Sequence, residues 1–157
     1  MPDEPDAVEK MKWAMVFVQT IEEKVTPDKK EGLTSIVNNK MRVGVHVYQT
    51  PPGLLKKEVQ ILRLSAMPDT VNQYKMICKN TGEIQMNCKT YMELSSLTTS
   101  EKFRMEGRVF PIFPAQERMV TFTLPADLPV GKYNAVAAVD AGDDVPLEVA
   151  QAIISVK

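Results

Sequence analysis

Few residues in this 157-residue chain have the types and spacing that do chemistry. There is one histidine, His46, so catalytic arrangements built on an imidazole base are nearly excluded. The only cysteines are Cys78 and Cys88, and with a single histidine they complete no zinc ligand set of the usual spacing. They flank the turn Asn80-Thr81-Gly82 and can both point inward. Two outcomes stay open for them: a disulfide, if the backbone separation suits one, or a pair of buried thiols. Asp140, Asp143 and Asp144 could offer oxygens to calcium, but they lack the spacing of a dedicated loop and fit turn-forming aspartates better. No Gly-rich phosphate loop and no Gly-x-Ser-x-Gly nucleophile elbow occurs. The chain is therefore expected to be non-enzymatic, with no cofactor and no metal.

Bulk properties narrow the partners. Lys and Arg number 19 against 20 Asp and Glu, which leaves no basic excess for a phosphate backbone, so no nucleic acid is expected. Apolar residues at 44% and charged residues at 25% fit a soluble globular protein, and ten methionines fit an adaptable core. No apolar run reaches the ~18 residues that span a bilayer, so no membrane insertion is expected. The opening Met1-Pro2-Asp3-Glu4-Pro5-Asp6 has neither the basic start nor the apolar stretch of a secretory signal.

The elements are mostly strands. Residues 7–25 carry apolar residues at helical spacing, yet Trp13 to Val18 has the aromatic and β-branched density of a strand. Residues 26–40 are polar and punctuated by Pro27, Gly32 and Asn38-Asn39, which reads as a long loop. From Met41 to Gln49 the period is two: Met41, Val43, Val45 and Val47 share one face, with Arg42, Gly44, His46 and Tyr48 on the other. Thr50-Pro51-Pro52-Gly53 then breaks the chain and marks a domain boundary, giving residues 1–54 and 55–157.

Seven short strands follow. They centre on Val59 to Leu64, Tyr74 to Cys78, Ile84 to Leu97, Arg108 to Phe113, Val120 to Leu124, Tyr133 to Val139 and Ala152 to Val156. Pro111 and Pro114 put the fourth at a sheet edge. Leu128-Pro129-Val130-Gly131 opens the sixth strand and Ala141-Gly142-Asp143-Asp144 reverses the chain after it. Seven strands at this spacing are the pattern of an immunoglobulin-like sandwich, and Tyr133 sits where such a fold places a tyrosine corner.

NTGE followed by FPAQERMVTFTLPADLPVGKYNAVAAVDAGDD resembles the second immunoglobulin-like domain of bacterial periplasmic chaperone-like proteins, the PapD-like superfamily, in its Bacteroidetes envelope variants. Pro114 to Arg118 and Leu128 to Tyr133 match the turns that precede the fifth and sixth strands there. KWAMVFVQT and MRVGVHVYQTPPG are similar to the last two strands of the first domain of such proteins. The resemblance implies strand at residues 7–25 and an incomplete first sandwich represented by its final hairpin. The basic residue that anchors a pilus subunit has no counterpart in this sequence.

An isolated two-stranded hairpin is marginal in water, so this one should borrow its complement from another chain or a second copy of itself. Met41, Val43, Val45 and Val47 are the expected partner-binding residues, by donor-strand pairing. The favoured function is a chaperone-like or scaffold protein, periplasmic or at the cell surface if the parent protein carries a signal peptide outside this sequence. The alternative is an adhesive surface module that binds host protein or glycan through loops such as Asp140 to Asp144.

Overall fold

The computed structural model describes residues 9–20, 24–30, 33–54 and 56–156, with side chains described at 9–20, 40–54 and 56–156. Every element in it is a β-strand, and all pairing is antiparallel. The chain divides into two compact units, Met1–Pro51 and Pro52–Lys157. The Pro51-Pro52 pair itself is the dividing point, slightly ahead of the expected 54/55 boundary.

The first unit holds β1 (Lys12–Gln19), β2 (Lys24–Lys30), β3 (Leu33–Asn39) and β4 (Arg42–Gln49). β1 pairs with β4 in a register that sets Trp13 against Tyr48 and Val16 against Val45. β2 pairs with β3, Pro27 lying opposite Ile36. The expected loop at residues 26–40 is thus corrected to a hairpin. Its proline and polar residues argue against a buried strand, but a two-stranded ribbon has only edge strands, where proline is tolerated. The strand reading of residues 12–19 prevails over the helical one, since β4 supplies the ladder that a lone segment lacks.

The second unit holds β5 (Val59–Ala66), β6 (Gln73–Asn80), β7 (Met86–Ser96), β8 (Lys102–Ile112), β9 (Glu117–Thr123), β10 (Gly131–Asp140) and β11 (Glu148–Val156). They form a three-stranded sheet ordered β5-β6-β9 and a four-stranded sheet ordered β11-β10-β7-β8. One core lies between them. Met76, Cys78, Val120 and Phe122 come from the first sheet, and Met92, Leu94, Tyr133, Ala137 and Ile154 from the second. Alternation produces this: along β7, Met86, Cys88, Thr90, Met92 and Leu94 are buried while Asn87, Lys89 and Glu93 are exposed. Full burial of each large apolar side chain contributes roughly 1.5–3 kcal/mol.

Short polar contacts fix the corners. The Tyr133 hydroxyl donates to the carbonyl of Pro129 at 2.7 Å, the tyrosine-corner tie expected from LPVGKY. Asn80 is fully buried, its amide nitrogen donating to the carbonyls of Ile84 (2.8 Å) and Ile112 (3.0 Å). Its side-chain oxygen accepts from the Gly82 N–H at 2.8 Å.

Candidate functional site

The candidate surface is the β1–β4 ribbon. Every residue of both strands is exposed, on both faces. The register sorts the side chains. Ala14, Val16 and Val18 share a face with Val43, Val45 and Val47, and Trp13, Met15 and Phe17 share the other with His46 and Tyr48. Val45 is 49% exposed and Met41 65%, so the aliphatic face lies open to water. The sequence singled out Met41, Val43, Val45 and Val47; the structure joins Ala14, Val16 and Val18 to them. Alternation along WAMVFV carried that signal, obscured by the competing helical spacing.

The aromatic face is partly covered by its own members. His46 stacks on Tyr48 with ring centroids 5.9 Å apart and planes 5° from parallel. The Arg42 guanidinium lies 5.5 Å from the Phe17 ring centroid and donates twice to the Gln19 side-chain oxygen, at 2.7 and 3.0 Å. Gly44 leaves room for this: a Cβ there would come within 3.1 Å of Met15 Sδ and 3.2 Å of Phe17 Cε1. Among the described residues the aliphatic face has no such internal cover.

Backbone phase decides what the ribbon edges present. The Thr20 N–H donates to the Met41 carbonyl at 3.1 Å, so residues 20 and 41 form a hydrogen-bonded pair. Hydrogen-bonded pairs alternate along an antiparallel ladder. The N–H and C=O groups of Val43, Val45 and Val47 therefore point at β1, and those of Arg42, Gly44, His46 and Tyr48 point outward. The free edge of β4 carries no proline and no bulge.

The sandwich treats its edges differently. β8 carries Pro111, a bulge opposite Lys89/Tyr91, and alternating charges at Lys102, Arg104 and Glu106. At the β5 margin the Ile61 N–H donates to a Glu148 carboxylate oxygen of β11 at 3.3 Å, and Lys57 pairs with Asp144 at 3.0 Å. These are devices that discourage strand addition, and among the described residues β4 has none of them.

The remaining candidates show structural chemistry. Cys78 on β6 and Cys88 on β7 are two buried free thiols, the second of the two outcomes left open by the sequence. Burial, with Cys78 and Asp140 adding repulsion, pushes the Cys88 thiol up to about 11, and burial raises Cys78 as well. Protonated thiols are poor nucleophiles and poor ligands. Among the described residues no group of three His, Cys, Asp or Glu could hold a metal ion. Asp140 accepts from the Gly142 N–H at 2.9 Å and Asp144 is held by Lys57, so these aspartates shape the turn. A hollow of about 220 Å³ lies beside it, lined by Asn87, Lys89, Asp140, Gly142 and Asp143. Among the described residues no helix is long and apolar enough to cross a membrane.

No family model matches this chain, and no curated protein does. Among solved structures it is similar to the sporulation control protein Spo0M from Bacillus subtilis, at 17% identity and a TM-score of 0.36. The match covers 65% of this chain and 49% of that one, so this chain spans about half the length of that protein. A likeness at that level carries no inference about function.

Proposed function

We propose that this protein is a non-enzymatic binding protein that engages other polypeptides by β-strand pairing along Arg42–Gln49. One observation carries the reading. A valine-rich strand presents the outward N–H and C=O groups of Arg42, Gly44 and His46 on an edge that, among the described residues, has none of the blunting seen at β8. In strand addition such backbone groups supply affinity, and alternate side chains supply specificity. The matches of Pro114 to Arg118 and Leu128 to Tyr133 to PapD-like turn signatures favour a chaperone-like or scaffold role at the cell envelope.

Amide hydrogen exchange tests this with an extended synthetic peptide in which valine alternates with threonine. Binding should protect the amides of Arg42, Gly44 and His46. His46→Pro removes one outward donor without touching the ladder to β1 and should weaken capture. Peptide capture that leaves those three amides exchanging freely, or that ignores His46→Pro, would overturn the reading.

A further inference from the structure

We propose that the open β4 edge is occupied by a second copy of this chain, the two β4 strands running antiparallel about a two-fold axis through Val45. The proposal rests on the strand-pairing reading above and names its partner.

The residues of β4 are self-complementary about that axis. Val45 meets its own copy, Val43 meets Val47 of the second copy, Gly44 meets His46, and Arg42 meets Tyr48. Arg42, the one charged residue of the strand, thus faces an aromatic ring and not another cation. Like charges directly opposite would be destabilising, whereas matched β-branched pairs and cation–aromatic pairs are favourable. The backbone phase agrees with the same axis. Because the outward groups on either side of Val45 belong to Gly44 and His46, pairing about Val45 joins 44 to 46 in hydrogen-bonded pairs on both sides of the axis. Val45 and its copy become a non-hydrogen-bonded pair, where side chains approach most closely. Gly44 adds no side chain at the seam. The β1 edge fits its own copy less well, since an axis at Val16 would set Ala14 against Val18 and leave unequal volumes.

Such pairing turns a two-stranded ribbon into a four-stranded sheet, β1-β4-β4-β1, past the size at which isolated strands become independently stable. A two-fold axis normal to the sheet also merges the two aliphatic faces into one.

Sedimentation equilibrium and a single-cysteine scan on the full chain test this together. The mass should be twice 17.6 kDa. His46→Pro should raise the dissociation constant on the order of tenfold or more, as outward hydrogen bonds are lost from both copies. Val45→Cys should cross-link to itself under mild oxidation, because a Cα separation of about 4.5 Å lies within disulfide range. Val43→Cys alone should not, since its two copies would stand about 13 Å apart along the strands; mixed with Val47→Cys it should. The native Cys78 and Cys88 are buried and leave the readout clean. A monomer at every concentration overturns the dimer, as does self-cross-linking at Val43 or at Val16→Cys. A monomer that still captures the valine-threonine peptide sinks the dimer alone; one that captures no peptide sinks the strand-pairing reading with it.

Discussion

Asn80 shows how one polar side chain can hold a corner of a sandwich. It satisfies two carbonyls and one N–H while fully buried. Asn80→Leu keeps the volume and strands those groups, each at a cost of roughly 1–3 kcal/mol, so a loss of about 3 kcal/mol or more is expected by urea unfolding. Tyr133→Phe leaves only the Pro129 carbonyl without its partner and should cost about 1–2 kcal/mol. The cysteines give a pH signature. The Cys88 thiol titrates near 11 in the folded chain against an ordinary 9.0, so the folded state holds its proton more tightly than the unfolded chain does. Its contribution to stability is complete below pH 9 and fades as pH rises toward 11. Cys88→Ala should flatten that alkaline fall in melting temperature; a fall of unchanged slope would assign it to other groups. Tyr133 was legible in the sequence because a Leu-Pro-x-Gly-x-Tyr turn announces it. Asn80 was not: before Thr81-Gly82 it reads only as a turn former, and its inward bonds depend on chain far away in sequence.

Strand β8 shows why element boundaries escape a periodic reading. Phe103 and Met105 are half-buried on one phase, and Phe110 and Ile112 face inward on the other. The phase changes at a bulge, where β7 and β8 slip register between Lys89 and Tyr91. Alternation fails there, and the sequence yields only the segment from Arg108 onward. Gly107 permits the bulge. A Cβ at that position would strike Thr90 Oγ1 and come within 2.9 Å of Phe122, while the Thr90 hydroxyl donates to the Arg108 carbonyl at 2.9 Å. Gly107→Ala should therefore cost about 1–3 kcal/mol in chemical denaturation, an overpacking penalty. Five of the other strands were legible because their inward residues keep one phase across most of their length, whereas β5 shifts register between Ile61 and Arg63 and was legible from its apolar residues Val59, Ile61 and Leu64 between turn signals. The β2–β3 hairpin was not, since its pairing depends on register and no apolar face marks it.

At the scale of the molecule, the division at Pro51/Pro52 separates a unit with a core from one whose described side chains form an exposed ribbon. Residues 52–157 expressed alone should unfold in a single cooperative transition, with coincident signals from circular dichroism and tyrosine fluorescence. Non-coincident signals would show that the sandwich depends on what precedes it. A ribbon has two sides, and capping β4 leaves β1 with the outward amides of Met15, Phe17 and Gln19. A contact made there by some other strand of a neighbouring molecule does not close, and contacts that do not close propagate. Storage should therefore have a ceiling: concentrated stocks would thicken and bind thioflavin T, and Met15→Lys, a gatekeeper charge on that flank, should keep them clear.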